Sequence, residues 1–210
     1  TFSGATMHTP VEVTDRAMAV VTDARTDAIV ALGGGSTIGL SKAIALRTDL
    51  PQLVIPTTYA GSEMTRIIGQ TENGLKTTQV TPRVLPETVI YDVDLTLTLP
   101  PLMSVTSGLN AMAHAVEALY ATNRNPIIDM IAESGIASLY RGLPVVAREP
   151  GNLEARANAL YGAWLCAICL GLAGLAVAGD ACAQDPSGHG QWTFEIGSGT
   201  DNRSKDLSKS

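Results

Sequence analysis

The fold is decided by residues 27–36, which read DAIVALGGGS. Residues 27–32 form a short apolar run, typical of a strand that is buried on both faces of a parallel sheet. The run ends at three glycines, and Ser36 is a fair N-cap for a helix that continues through Arg47. Residues 52–55 form the next apolar run. Strand, helix and strand within about 30 residues predict a βαβ unit, from which parallel sheets are built.

The pattern around this unit extends the α/β region in both directions. A helical pattern covers residues 10–23. Strand-like runs at 67–71 and 75–80 flank Asn73-Gly74, a strong turn signal that predicts a hairpin. A further short strand is predicted at 88–91.

After residue 100 the pattern changes to helices without intervening strands. Helical spacing recurs at residues 104–122, at 126–146, and from 153 to about 178. The last residues are rich in Gly, Ser, Asp and Lys, and they contain too few apolar side chains to offset the entropy of ordering. The predicted organisation is an α/β domain over 1–100, an all-α domain over 101–178 and a disordered tail over 179–210.

Composition and charge narrow the class of protein. The chain has 210 residues, of which 45% are hydrophobic and 16% are charged, as is typical of a globular protein. Its net charge of −6 argues against a nucleic-acid partner, because polyanions bind positively charged surfaces. The first residues carry neither a basic patch nor an apolar run, so we expect no targeting peptide and a cytoplasmic protein.

Three cysteines, Cys166, Cys169 and Cys182, lie close together in the sequence. An odd number in one region is poor material for a disulfide framework and suits a reducing compartment. Cys166 and Cys169 form a C-x-x-C pattern, but the pattern lies inside an apolar run with no second pair and no neighbouring His. We therefore expect buried small side chains here rather than a zinc site.

Residues 159–179 contain no charged residue and are long enough to cross a bilayer. Many of them are Ala and Gly, which contribute little to membrane insertion, and no Lys/Arg cluster flanks the segment. A tightly packed helix in a soluble core is the favoured interpretation, with a membrane span as the alternative. We expect no membrane partner.

Two polar loops follow the first two predicted strands. Residues 33–36 read GGGS, and we call them the glycine loop; residues 56–65 read PTTYAGSEMT, and we call them the threonine loop. Glycines let a backbone approach phosphate oxygens, and the N-terminus of the following helix favours an anion. The carboxyl ends of parallel strands share one sheet edge, so the two loops together predict a nucleotide site.

Each loop also has a simpler interpretation. The glycine loop is compatible with a tight turn alone, and the threonine loop with a Thr/Ser-rich turn that caps a helix. The glycine loop is neither the G-x-G-x-x-G fingerprint of the Rossmann fold nor a P-loop, since no Lys-Ser/Thr pair follows it.

A third feature lies on the first predicted helix after residue 100. Asn110 and His114 are four residues apart, and His114 and Glu117 are three apart, so the three share one helix face. An Asp-x-x-x-His pair in this setting could hold a metal, whereas Asn is a much poorer ligand for a transition metal. The spacing alone leaves open a hydrogen-bonded core histidine and a metal ligand.

Five segments together resemble the iron-containing alcohol dehydrogenase family, which shares its fold with glycerol dehydrogenase and dehydroquinate synthase. The resemblance is closest to the maleylacetate reductase branch and runs from about residue 2 to about residue 171. The segments that carry it are ALGGGSTIG at 31–39, VIPTTYAGSEMT at 54–65, VLPETVIYD at 84–92, TSGLNAMAH at 106–114 and YGAWLC at 161–166.

The resemblance implies a dehydroquinate synthase-like fold. An α/β dinucleotide-binding domain with a parallel sheet, here incomplete, would be followed by a truncated all-α domain, with the active site in the cleft between them. The cofactor would be NADH or NADPH, with Lys76 reaching toward the nicotinamide ribose. The residues that the resemblance assigns to the pyrophosphate are Gly34, Gly35 and Ser36. Those that it assigns to the pyrophosphate and nicotinamide side are Thr57, Thr58 and Ser62.

The reaction implied is reduction of the carbon–carbon double bond of maleylacetate to give 3-oxoadipate, in the catabolism of (chloro)aromatics. Hydride would reach the carbon beta to the ketone, and His114 with Asn110 would stabilise the enolate or supply the proton. Asn110 stands where iron-dependent relatives have Asp, so no metal is expected. Arg66 and Arg83 are candidates for binding the small dicarboxylate substrate, and the family suggests a homodimer.

The sequence departs from the family pattern at both ends. The family has a first βα segment, with an acidic residue for the adenosine ribose, before the position of Thr1. After Leu172 the family continues into His-rich helices, whereas here His189 stands alone in a polar run. We expect the tail to be read from a shifted or fused frame. The alternatives to a reductase are an inactive nucleotide-binding fragment or pseudogene product, and an iron-dependent alcohol dehydrogenase, which Asn110 disfavours.

Overall fold

The N-terminal half is built on three parallel strands, and the C-terminal half on three long helices. The computed structural model describes the backbone of residues 1–182 and the side chains of residues 1–173. Its strands are β1 Ile29–Gly33, β2 Gln52–Pro56, β3 Ile67–Glu72, β4 Leu75–Val80 and β5 Thr88–Val89. Its helices are α1 Val11–Asp23, α2 Gly35–Thr48, α3 Pro101–Tyr120, α4 Pro126–Arg148 and α5 Leu153–Cys182.

The predicted βαβ unit is confirmed. β1 pairs with β2 in parallel, with Ile29 opposite Gln52 and Gly33 opposite Pro56, and α2 connects them. β5 adds to the other side of β2, which gives the strand order β1-β2-β5. The central strand is the most buried because it has a neighbour on each side, and Val54 at its middle is fully buried.

The start of α2 corrects one expectation, because Ser36 is not its N-cap. The helix begins at Gly35, and Gly34 is the N-cap in an extended conformation. The carbonyl of Gly34 accepts hydrogen bonds from the backbone N–H groups of Thr37 and Ile38. A third glycine allows the helix to start earlier than a serine cap would, which places Ser36 inside the first turn.

The hairpin around Asn73-Gly74 is also confirmed. β3 and β4 pair antiparallel from Ile67 opposite Val80 to Glu72 opposite Leu75. Both turn residues have positive φ, 51° for Asn73 and 80° for Gly74, which is the backbone that a two-residue hairpin turn requires. The hairpin forms a separate two-stranded sheet.

The three helices after residue 100 appear where the spacing predicts them, with ends that differ by at most about four residues. α3 begins at Pro101, where the missing proline N–H is no loss in the first turn of a helix. α4 is capped by Asn125, whose side-chain oxygen accepts from the N–H groups of Ile127 and Ile128. The helical core of small and aliphatic side chains also includes Tyr59, which comes from the threonine loop.

α4 and α5 pack with their backbones in contact. A Cβ on Gly142 would lie 2.9 Å from the carbonyl oxygen of Ala155, and a Cβ on Gly162 would lie 2.8 Å from the amide nitrogen of Leu139. Glycine at both positions is therefore what permits the close approach of the two helices. Cys166 and Cys169 are fully buried on α5 as free thiols, as expected.

α5 is the apolar segment that could be mistaken for a membrane span. Residues 153–173 are long and apolar enough to cross a membrane, but more than half of that segment is buried inside the protein. A Cβ on Gly171 would lie 2.3 Å from the carbonyl oxygen of Met64, and Trp164 packs against Tyr91 with ring centroids 6.4 Å apart. α5 is therefore apolar because it is a core helix.

The backbone of α5 continues as helix to Cys182, and residues 183–210 lie outside the described part of the chain. The disordered tail is predicted from residue 179, so the helical backbone of residues 179–182 corrects its start. The rest of that tail and His189 lie outside the described residues, and the shifted reading frame stays a prediction.

Candidate functional site

The glycine loop and the threonine loop lie against each other at the carboxyl ends of β1 and β2. The backbone N–H of Thr57 donates to the carbonyl of Gly33 at 3.0 Å. A Cβ on Gly34 would lie 2.8 Å from Cγ2 of Thr58, and one on Gly35 would lie 3.5 Å from the Cβ of Ala60. The structure thus brings together the two loops that the sequence placed at one sheet edge.

The residues at this edge fit the pyrophosphate of a dinucleotide. The N-terminus of α2 opens on the glycine loop and supplies the N–H groups and dipole that favour an anion. The hydroxyl of Thr58 is buried and has no hydrogen-bond partner among the described residues, so it is available to a ligand. Glycine at position 34 lets the glycine loop approach Thr58 more closely than a Cβ would allow. The assignment of Gly34, Gly35, Ser36, Thr57, Thr58 and Ser62 to the cofactor stays a prediction that this geometry supports.

Lys76 lies on the hairpin rather than in either loop. It pairs with Thr71 across the β3–β4 sheet, and its Cε would lie 3.2 Å from a Cβ on Gly69. The side chain is exposed. Its role at the nicotinamide ribose stays a prediction.

A buried lysine holds the end of the threonine loop. Lys42 on α2 is completely buried, and its Nζ donates to the carbonyl oxygen of Ser62 at 2.5 Å, to the carbonyl and hydroxyl oxygens of Thr65 at 2.8 and 2.9 Å, and to the carbonyl oxygen of Ile67 at 2.9 Å. Burial lowers the pKa of Lys42 to about 7, and the nearby Glu63 opposes that shift.

Glu63 is the second buried ionisable group of this loop. Its Oε1 accepts a hydrogen bond from the hydroxyl of Tyr91 at 2.8 Å, while its Oε2 is buried without a partner among the described residues. Burial raises the pKa of Glu63, and hydrogen bonds and Lys42 oppose that shift. Burial and the adjacent carboxylate also raise the pKa of Tyr91.

The predicted face of α3 forms a hydrogen-bonded row. Nε2 of His114 lies 3.3 Å from Nδ2 of Asn110, and Nδ1 lies 3.1 Å from Oε2 of Glu117. In the neutral imidazole, a proton on Nδ1 is donated to the Glu117 carboxylate, which leaves Nε2 to accept from the Asn110 amide. Glu117 therefore orients the ring and fixes its tautomer. No hydrogen bond among the described residues joins this row to the two loops.

The donor set on α3 does not fit an iron site. Asn110 presents its amide nitrogen to His114, and an amide is a poor ligand for a transition metal.

One candidate for binding the substrate carboxylates is misplaced. Arg83 pairs with Asp49 at 3.1 Å, and Asp49 is the residue that follows the C-terminus of α2. The cofactor loops meet the opposite end of that helix, about 20 Å away for its length. The ion pair thus holds Arg83 away from the strand ends. Arg66 is exposed at the start of β3, and its role stays a prediction.

Sequence reasoning did not assign roles to Lys42 and Glu63. A signal for Lys42 exists, because it is the one charged residue in the otherwise buried stretch from Ile38 to Ala45 on α2. Lysine is rarely buried unless it is paired, so its place in an apolar helix pattern indicates polar partners from another element. Those partners could not be identified, because they lie in an irregular loop.

The comparisons with known proteins agree with the fold and the motifs. A family model for iron-containing alcohol dehydrogenases matches residues 1–93, and the model for the C-terminal part of the Fe-containing alcohol dehydrogenase family matches residues 104–184. The maleylacetate reductase of Rhizobium sp. strain MTP-10005 is 61% identical over 181 residues, which are 86% of this chain and 52% of that protein.

Solved structures give the same result. The crystal structure of the same Rhizobium maleylacetate reductase superposes with a TM-score of 0.80 at 63% identity, over 81% of this chain and 49% of that one. Sulfoacetaldehyde reductase from Bifidobacterium kashiwanohense, solved in complex with NAD+, superposes with a TM-score of 0.78 at 25% identity, over 81% and 51% of the two chains. The chain spans about half the length of the curated relatives that it matches. It belongs to the iron-containing alcohol dehydrogenase family, on the maleylacetate reductase branch.

Proposed function

We propose that this chain carries the cofactor loops and the α3 histidine of a reductase that converts maleylacetate to 3-oxoadipate with NADH or NADPH. The observation that carries the proposal is the combination of two facing loops at the strand ends with Asn110 beside His114. That combination occurs in a chain 61% identical to a maleylacetate reductase.

Some residues of the chain would bind the cofactor, and others would take part in proton transfer. Gly34, Gly35 and Ser36 would hold the pyrophosphate at the N-terminus of α2, and Thr57, Thr58 and Ser62 would line its nicotinamide side. Lys76 would reach the nicotinamide ribose. The bound dinucleotide supplies the hydride.

His114 is the group in this chain that could hold or move the proton. Its Nε2 is the ring nitrogen that faces away from Glu117, and the amide of Asn110 holds that nitrogen in place. A protonated Nε2, released from the Asn110 amide because both are then donors, would stabilise the enolate oxygen or deliver a proton to the adjacent carbon. Glu117 would keep the ring oriented while the proton moves.

We further propose a cytoplasmic protein that acts on a small dicarboxylate and requires no metal. A net charge of −6 disfavours nucleic acid as a partner, and the packing of α5 in the core disfavours a membrane. A homodimer is expected by analogy with the family.

The test is turnover of maleylacetate by the purified chain, followed as loss of NADH with and without a chelator. Chelator-resistant turnover supports the proposal, and His114→Ala should then abolish most of it while Asn110→Ala lowers it. Turnover of simple alcohols that returns only with Fe²⁺ or Zn²⁺ would instead indicate an iron-dependent alcohol dehydrogenase.

A second candidate function is nucleotide binding without catalysis. The observation that favours it is that both cofactor loops face each other, while no hydrogen bond among the described residues joins them to the row that contains His114. Quenching of NADH fluorescence by a chain that leaves maleylacetate unchanged would support this candidate.

A further inference from the structure

We infer that Lys42 is a positioning residue, which fixes the threonine loop to α2 and thereby sets the nicotinamide side of the cofactor site. The part of this inference that concerns the cofactor site rests on the proposed function. Its structural part, that one side chain determines the conformation of the loop end, stands on contacts alone.

The contacts of Lys42 are concentrated on a short irregular segment. Its Nζ lies within hydrogen-bonding distance of four oxygens, three of them backbone carbonyls, from Ser62 to Ile67. Such carbonyls would be costly to bury unpaired, and Lys42 is a donor to all three. The hydroxyl of Thr65 also donates to the carbonyl of Ser62 at 3.0 Å, which closes a small network around Nζ.

The position of Lys42 on α2 connects the two cofactor loops. α2 begins at Gly35 in the glycine loop, and Lys42 follows seven residues later, about two helical turns along. The same rigid helix therefore presents its N-terminus to one loop and a side-chain anchor to the other. A displacement of the threonine loop relative to the glycine loop would require breaking these bonds.

The opposite side of the loop is held by other elements. The carboxylate of Glu63 accepts from Tyr91, and Tyr59 lies in the helical core. A Cβ on Gly61 would lie 3.0 Å from the Cβ of Ala167 on α5. Lys42 thus attaches the end of the loop to α2, as the backbone of Thr57 attaches its start to the glycine loop. Tyr59 and Gly61 attach the loop to the helical half.

The test compares Lys42→Met with a matched control on the same helix, Ser41→Ala. Ser41 is equally buried and donates to Oε1 of Gln52 at 2.7 Å, so its loss removes a buried hydrogen bond without touching the loop. Hydrogen exchange of the loop amides is measured without cofactor. Loss of bonds from a charged donor should speed exchange of residues 61–67 by about tenfold or more in Lys42→Met, and by less than about threefold in Ser41→Ala.

Binding supplies a readout that a general loss of stability would not reproduce. Lys42→Met should weaken NADH binding by about tenfold while AMP, which has neither the pyrophosphate nor the nicotinamide, loses less than about twofold. Lys42→Arg, which keeps donors at this position, should recover part of the affinity. Thr65→Val removes one of the four acceptors and should give a smaller change in the same direction, which keeps the test available if Lys42→Met does not fold.

Equal loop exchange in Lys42→Met and Ser41→Ala would overturn the inference. Equal losses of NADH and AMP affinity in Lys42→Met would also overturn it. Failure of the wild-type chain to bind NADH would refute the proposed function instead, and the exchange comparison would then still decide whether Lys42 fixes the loop.

Discussion

The buried amine of Lys42 must be compensated by polar groups around it. Lys42 sits among apolar neighbours on α2, so its charge is destabilised by loss of water and is compensated by four oxygens and by Glu63. The neutral amine keeps two protons for those oxygens, and the ammonium has three. The protonation of this side chain is therefore linked to the stability of the whole fold.

This linkage predicts how stability depends on pH. The pKa of Lys42 is about 7 in the folded protein and 10.5 for the ordinary group, so between these values the unfolded chain binds more protons. The free energy of unfolding should therefore rise as pH increases through this range, by up to about 1.4 kcal/mol per pH unit from this group. Urea denaturation at a series of pH values measures the slope, which Lys42→Met should remove. A variant with the wild-type slope would contradict the prediction.

Gly34 is the residue whose missing side chain matters most to the cofactor site. A Cβ there would lie 2.8 Å from Cγ2 of Thr58, so Gly34→Ala must displace the threonine loop. We expect a loss of about 1–3 kcal/mol in the free energy of unfolding, measured by denaturant titration. Thr58→Ser removes the clashing methyl group and should restore much of the loss in the double variant.

The neighbouring glycine supplies the control for that prediction. A Cβ on Gly35 would lie 3.5 Å from the Cβ of Ala60, an ordinary contact, and the residue is inside the helix. Gly35→Ala should leave stability unchanged or raise it by up to about 1 kcal/mol through helix propensity. Equal destabilisation by both substitutions would show that the contact with Thr58 is not the cause.

At the scale of elements, the sheet and the helices were predictable because their signals are local. The apolar runs at β1 and β2, the Asn73-Gly74 turn and the helical spacing after residue 100 each depend on residues close in sequence. The N-cap of α2 lies two residues before the predicted Ser36, because a capping serine and a capping glycine give the same pattern. The partners of Lys42 and of Arg156 could not be predicted, because they are distant carbonyl groups.

Arg156 shows why such partners cannot be predicted from the sequence. It is completely buried near the start of α5 and donates to the hydroxyl of Ser104 at 2.8 Å and to the carbonyls of Leu99 and Pro150 at 3.0 and 2.9 Å. Two of its three acceptors are main-chain oxygens, which every residue carries. Nothing in the side-chain pattern therefore identifies them.

The contact between α4 and α5 gives a prediction at this scale. A Cβ on Gly162 would lie 2.8 Å from the amide nitrogen of Leu139 and 2.9 Å from the carbonyl oxygen of Gly135. Both are backbone atoms, so Gly162→Ala can be accommodated only by separating the helices. We expect a loss of about 2–3 kcal/mol in the free energy of unfolding, measured by urea denaturation.

A loop glycine provides the comparison for Gly162→Ala. A Cβ on Gly151 would meet nothing within 4 Å, so Gly151→Ala should change stability by less than about 0.5 kcal/mol. A change in Gly162→Ala as small as in this control would mean that the helices lie farther apart than the structure shows.

At the scale of the whole molecule, the two halves are joined by a seam that includes residues of both. The threonine loop and Tyr91 come from the α/β half, and α5 supplies Trp164, Ala167 and Gly171 to meet them. The loop that we assign to the cofactor is therefore also a contact between the halves. A seam of this kind couples their unfolding, so we expect the described part of the chain to unfold in one transition.

The coupling can be tested with Gly171→Ala, because a Cβ there would lie 2.3 Å from the carbonyl oxygen of Met64 and must open the seam. Trp164 reports on the seam through its contact with Tyr91, and Trp192→Phe leaves it as the single tryptophan. In that background, tryptophan fluorescence and far-UV circular dichroism should give one common urea midpoint. Adding Gly171→Ala should move the fluorescence midpoint to lower urea than the circular dichroism midpoint, since the seam then opens before the helices unfold. Gly151→Ala should leave the two midpoints together. Coincident midpoints in the Gly171→Ala variant would show that the two halves do not depend on this contact for their cooperativity.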